Sequence, residues 1–127
     1  MLAKATLGSK GAFASKTAPA FGGTSMFTLQ DGNLVSTDQS GSPDHWTFGD
    51  GTLVTAPVVS GGIVFVGSSD GSVYGVGTSS GTKVWSGQAG SAILGPDEQN
   101  ADVLVGMAAA GGLLVVPAGN ALTAFGN

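Results

Sequence analysis

Arginine and cysteine are missing from this chain, and charge of either sign is scarce. The 127 residues hold four basic side chains, all lysine (Lys4, Lys10, Lys16 and Lys83), against eight acids, for a net charge of −4. Phosphate neutralisation needs clustered basic groups, so nucleic acid is not an expected partner. Without cysteine there are no disulfides, thiolate metal sites or cysteine nucleophiles, although the redox compartment stays open. Long membrane-grade runs are absent too. Val103 to Ala118 carries no charge, but Gly111-Gly112 and Pro117 interrupt it and it falls short of the ~20 residues of a bilayer helix. Two buried strands around a Gly-Gly turn are expected there, and no membrane span. Met1 to Ser15 has no apolar core segment and predicts no signal peptide, which leaves a cytoplasmic protein or a piece of a longer exported chain.

What the chain has in excess is glycine, at 23 positions, while charged residues make up only 9%. Globular domains average about 25% charged and about 7% glycine. Many tight turns between short, largely buried strands produce such a skew.

The glycines are not scattered. Thr17-Ala18-Pro19 through Asp31-Gly32 to Trp46 recurs as Thr55-Ala56-Pro57 through Asp70-Gly71 to Trp85, with offsets of 38, 39 and 39 residues. A period near forty built from short β-like segments is the signature of propeller blades, each a small sheet that cannot bury both faces alone. The sequence therefore predicts an all-β fold, a partial β-propeller of about three four-stranded antiparallel blades, the last incomplete. Residues 1–16 are read as a tail or a strand of a preceding blade, 17–54 as repeat 1, 55–94 as repeat 2, 95–102 as an inter-blade loop and 103–127 as partial repeat 3.

Within repeat 1 the expected order is a Gly22-Gly23 turn, a strand Ser25 to Leu29, an Asp31-Gly32 turn, a strand Asn33 to Thr37, a turn Ser40 to Pro43 and a strand around Trp46. Repeat 2 reads as strands Thr55 to Val59, Ile63 to Gly67, Ser72 to Val76 and Lys83 to Trp85, with Asp70-Gly71 as the central hairpin. Asp-Gly between apolar strands signals a two-residue turn, because Gly accepts the positive φ that matches the strand twist. Repeat 3 is expected to begin near Val103, to continue with Leu113 to Val116 and Ala121 to Phe125 around a turn at Ala118-Gly119-Asn120, and to stop before any Trp strand. Three units cannot cover both outer blade faces, so the chain is expected to associate with itself or to be completed by further blades.

Ile63-Val64-Phe65-Val66-Gly67-Ser68-Ser69-Asp70-Gly71-Ser72-Val73-Tyr74-Gly75-Val76, followed by Ser80-Gly81-Thr82-Lys83-Val84-Trp85, closely resembles the pyrroloquinoline-quinone-like (PQQ-like) propeller repeat. The match is specific over 55–90. Over 17–51 it is weaker, with Thr28-Leu29-Gln30 in place of Val-Gly-Ser, and over 103–126 it is partial. The resemblance implies that Trp46 and Trp85 are structural groups docking neighbouring blades. It also implies one of two roles. Quinone-dependent dehydrogenases of this family hold the quinone and a calcium ion at the ring axis; the other members are non-catalytic scaffolds similar to the lipoprotein propeller of the outer-membrane assembly machine. The chain has no cysteine pair, no Arg for the quinone carboxylates and no acidic cluster inside a repeat strand, and so looks more like a scaffold. An exported, periplasmic or extracellular location is implied by resemblance alone.

Single residues offer little chemistry. His45 is the only histidine and cannot assemble a usual zinc site by itself. Asp38 and Asp44 flank a Gly-containing turn in a pattern faintly like a calcium loop, but Asp and Ser are ordinary turn formers. Adjacent Asp97 and Glu98 point opposite ways on an extended chain and make a poor acid–base pair. No nucleophile elbow and no phosphate-cradling helix start are present. The expectation is a non-enzyme without catalytic, cofactor or metal residues, a module that displays loops, notably Gly95 to Ala101, to a protein or other macromolecule. The alternative is the C-terminal piece of a quinone-dependent dehydrogenase whose cofactor site lies outside this chain.

Overall fold

A computed structural model describes residues 17–40, 42–93, 107–119 and 121–126. Three antiparallel sheets follow one another along the chain. The first contains β1 (Ala20–Gly22), β2 (Ser25–Gln30), β3 (Asn33–Asp38) and β4 (Asp44–Phe48), paired in chain order. The second repeats that order with β5 (Val58–Ser60), β6 (Ile63–Gly67), β7 (Ser72–Gly77) and β8 (Lys83–Gln88). The third holds β9 (Ala108–Ala110), β10 (Leu113–Ala118) and β11 (Ala121–Gly126). Each sheet opens on a three-residue strand, and β1 touches β5 as β5 touches β9. The sheets therefore fan out from neighbouring first strands, as blades do around an axis.

Alternation along the strands decides what lies between the blades. Phe27, Leu29 and Leu34 from the first sheet meet Val64, Val66 and Val76 from the second, with Leu53 of the connecting segment closing one end. The opposite face of the second sheet contributes Val73, Phe65 and Trp85, which meet Leu114, Val116 and Ala118 of the third, and Ile93 takes the part played by Leu53. Full burial of each such side chain stabilises by roughly 1.5–3 kcal/mol.

The two ends of the stack differ. On the face of the first sheet turned away from the second, Met26, Thr28 and Thr37 are each only 1% exposed. On the corresponding face of the third sheet, Leu113 is 52% and Leu122 is 75% exposed. The expectation of two buried strands around Gly111-Gly112 is corrected accordingly: β9 is largely exposed and β10 is buried on alternate residues only, because among the described residues no further sheet lies beyond it. Val103 falls outside the described residues.

Two local expectations also change. The strand from Thr55 shrinks to Val58–Ser60. Pro57 has no N–H to give to a ladder, and the buried Thr55 hydroxyl accepts the Gly67 N–H at 2.8 Å in place of a backbone carbonyl. The two Asp-Gly turns also prove unlike. Asp31 (φ 50°) and Gly32 (φ 75°) form a two-residue turn between paired Gln30 and Asn33. Asp70-Gly71 instead belongs to a three-residue loop in which the Gly71 N–H reaches the Ser68 carbonyl and only Gly71 has positive φ. That is a type I turn followed by a left-handed glycine.

Ser36 faces the first interface opposite Trp46, where the second sheet has Gly75 opposite Trp85. Its hydroxyl is buried without a partner. An unsatisfied buried donor costs about 1–3 kcal/mol, so Ser36→Ala is expected to raise stability by roughly 1 kcal/mol. Urea denaturation should show a higher midpoint at unchanged slope; a lower midpoint would mean that the hydroxyl is satisfied.

Candidate functional site

The carboxylates among the described residues mostly serve turns. Asp38 accepts the Gln39 N–H at 2.9 Å, Asp50 accepts the Thr52 hydroxyl at 2.6 Å, and Asp70 accepts the Ser72 N–H at 2.8 Å. Asp44 opens β4 beside His45, and both are exposed. Among the described residues no three of His, Cys, Asp and Glu come together to hold a metal ion. Asp97, Glu98 and the Gly95 to Ala101 loop lie outside the described residues.

The Ser72 backbone N–H, joined by its hydroxyl, holds the Asp70 carboxyl below the usual carboxylate range. A depressed folded pKa gives stability that is complete above the unfolded value of about 3.9 and disappears as pH falls through the lower folded value. Asp70→Asn keeps an acceptor for Ser72 but removes the titration. Melting temperature measured from pH 6 to pH 2 is expected to separate wild type from variant most above pH 4 and to bring them together at pH 2; a constant separation contradicts the assignment.

The tryptophans mark the interfaces, and they are not equivalent. Trp46 on β4 lies 5.7 Å from Phe27 between ring centroids, and its indole Nε1 donates to the Thr78 carbonyl of the β7–β8 turn at 3.0 Å. Gly81 of that turn, at φ 69°, lies flat on the indole; a Cβ there would stand 2.6 Å from the ring. Trp85 on β8 meets Phe65 at 6.0 Å and Phe125 of the third sheet at 5.1 Å, both edge-on. Its N–H finds no acceptor among the described residues.

A crevice of about 280 Å³ opens beside Trp85, bounded by Ile63, Phe65, Leu113, Leu114 and Phe125. No charged side chain lines it. Leu113 borders the crevice and is itself half exposed. On β10 and β11 the outward residues are Leu113, Val115, Pro117, Leu122 and Ala124, all apolar. Sequence reading singled out Trp85 but missed both the crevice and this face. Both tryptophans are half-buried, and they differ in that the Trp46 indole N–H has the Thr78 carbonyl as acceptor. Among the described residues no helix is long and apolar enough to cross a membrane.

Comparison with known proteins places this geometry. The family model PQQ_2, described as outer membrane protein assembly factor BamB, matches residues 3–125. No curated protein matches. Among solved structures the chain is similar to BamB from Moraxella catarrhalis, at 16% identity and a TM-score of 0.68 over 90% of this chain and 34% of that one. It is also similar to the computationally designed Ika8 protein, at 23% identity and a TM-score of 0.59 over 87% of this chain and 32% of that one. The designed Ika4 protein aligns at 17% identity and a TM-score of 0.51, covering 90% of this chain and 94% of its own. At these identities the likenesses establish the fold, and the chain spans about a third of the length of the first two.

Proposed function

The chain belongs to the PQQ_2 family, and from that premise we propose that it works as a non-catalytic propeller module that binds another protein. One observation carries the proposal: the face of the third sheet built on Leu113, Val115, Pro117, Leu122 and Ala124 is wholly apolar and open to solvent. Exposed apolar surface of this kind marks a contact site. The blades beneath it are stiffened by two packed interfaces, so the surface is presented without much ordering cost on binding. The carboxylates that serve turns support the non-catalytic part of the reading, since a general base must be free to reach a substrate proton. The family description supports a periplasmic setting at the outer membrane.

The purified chain is titrated with pyrroloquinoline quinone and calcium while its melting temperature is followed. No shift is expected, and a saturable rise of several degrees would overturn the non-enzyme reading in favour of a quinone-dependent one. Fractionation of the native cells tests the location, with recovery in the cytoplasm as the contrary result.

A further inference from the structure

Aspartate followed by glycine occurs three times in the chain, at Asp31-Gly32, Asp50-Gly51 and Asp70-Gly71. In such a pair the glycine nitrogen can attack the preceding aspartate side chain, because no Cβ on the glycine obstructs the approach. The nitrogen bonds to Cγ, a five-membered succinimide closes, and the carboxyl hydroxyl leaves with the amide proton as water. Water then opens the ring. Opening at the side-chain carbonyl restores aspartate; opening at the main-chain carbonyl leaves isoaspartate, with the chain running through Cβ and Cγ and a carboxylate freed at the former backbone carbonyl. One water is released and one is consumed, and no other reactant takes part.

Ring closure needs two groups free, the aspartate carboxyl and the N–H of the next residue, and the fold ties up both in two of the three pairs. The Asp50 carboxylate accepts the Thr52 hydroxyl at 2.6 Å and the Thr52 N–H at 3.3 Å, while the Gly51 N–H donates to Oδ1 of Asn33 at 3.0 Å. The Asp70 carboxylate accepts the Ser72 N–H at 2.8 Å, and the Gly71 N–H donates to the Ser68 carbonyl at 3.0 Å. The Ser72 bond also favours the ionised Asp70 carboxylate, which has no hydroxyl to lose. Asp31-Gly32 is fastened at neither point. Its carboxylate is exposed, and among the described residues neither that carboxylate nor the Gly32 N–H has a hydrogen-bond partner.

The turn also starts near the geometry of the ring. Among the described residues Asp31 is the one non-glycine with positive φ, at 50°. The two common forms of a two-residue hairpin turn share a positive φ at the first central residue and differ by a flip of the peptide plane between the central pair. In the type II′ form that first residue has ψ of about −120°, which brings Cβ and the next nitrogen to the same side of the Cα–C bond, as a succinimide requires. Among the described residues the plane that has to flip is held by one long, exposed bond, from Nδ2 of Asn33 to the Asp31 carbonyl at 3.4 Å. The Gly32 carbonyl belongs to the next plane and keeps its bond to the Leu53 N–H.

The geometry points to Asp31-Gly32 as a site of covalent self-modification, where the folded protein converts aspartate to isoaspartate in preference to its two other Asp-Gly pairs. The product adds a backbone methylene to a two-residue turn. Gly32 lies against the Gly51 main chain and receives the Leu53 N–H, so conversion loosens the fastening of the first blade to the segment that leads into the second.

The full chain is kept for weeks in mildly acidic buffer made with heavy-oxygen water, then unfolded and digested with a protease that cuts before aspartate but not before isoaspartate. Cleavage ahead of Asp31 is expected to be lost at least about tenfold faster than cleavage ahead of Asp50 or Asp70, the factor that a hydrogen bond to a charged group commands. The peptide left uncut at Asp31 should carry one heavy oxygen. A parallel sample in urea separates the fold from the dipeptide, and there the three sites should react at similar rates. Asp31→Asn, which makes ammonia the leaving group, should deamidate faster in the folded chain than Asp50→Asn or Asp70→Asn. Hydrogen exchange of the converted fraction should show faster exchange of the Leu53 amide. Conversion of Asp50 or Asp70 as fast as Asp31 in the folded chain, the same ranking in urea, no conversion at Asp31 while the urea sample reacts, or a resistant peptide without heavy oxygen overturns the inference. An unchanged Leu53 amide overturns the loosening.

Discussion

Phe27→Ala is expected to cost about 3–5 kcal/mol of folding stability. Among the described residues Phe27 is the largest fully buried side chain, at 0% exposure, and it stands between the first and second sheets among Leu29, Leu34, Val64 and Val66. Truncation removes its apolar surface and also leaves Trp46 without the ring it leans on, so the cavity term adds to the transfer term. For a domain stable by about 5–15 kcal/mol such a loss is a large share of the total. Val115 occupies the same register on β10 but faces outward and is half-buried, so Val115→Ala should cost about 1 kcal/mol or less. Urea denaturation of the pair measures the contrast directly. Equal losses would mean that the third sheet is packed as tightly on its outer face as the first is on its inner one, against the account.

Gly32→Ala is the second large effect, with an expected loss of more than about 2 kcal/mol. Two causes act together. At φ 75° an alanine is strained, and its Cβ would overlap the Gly51 main chain, which cannot rotate away as a side chain can. The close approach exists because the Gly32 carbonyl accepts the Leu53 N–H at 3.0 Å, fastening the first hairpin to the segment that leads into the second blade. Gly61 separates the two causes. It has φ 60° with open space around it, so Gly61→Ala should carry the strain alone and cost about 1 kcal/mol. Thermal melts of both variants decide the matter, and an equal shift would show that the contact with Gly51 is unimportant.

The blade order was legible because a propeller writes each unit with the same punctuation. Offsets near forty residues, turn glycines and a tryptophan per unit were enough to place β2, β3, β6 and β7 within a residue or so of their observed ends. What could not be read came from tertiary partners. A short apolar run such as Val115 to Pro117 looks the same whether one face or two are covered, so the exposure of the third sheet was invisible. Thr55 looks like an ordinary β-former, and its contact with the Gly67 N–H, which joins the missing N–H of Pro57 in delaying the strand, is visible only in the fold. Asp70-Gly71 matches Asp31-Gly32 letter for letter, yet the two pairs build different loops because Ser68 and Ser72 still bond to each other across the second. The Trp85 crevice is bounded by side chains of two sheets, Ile63 and Phe65 of one and Leu114 and Phe125 of the other, which no single stretch of sequence announces.

Trp46 and Trp85 are chemically identical side chains in unequal surroundings, and exchange of their indole protons reads those surroundings directly. Nitrogen-resolved proton spectra of the chain transferred into deuterated buffer should show the Trp46 Nε1 proton persisting, held against the Thr78 carbonyl, and the Trp85 Nε1 proton disappearing first. Equal exchange of the two, or a longer-lived Trp85 proton, would contradict the docking of the first blade on the second through the Trp46–Thr78 bond.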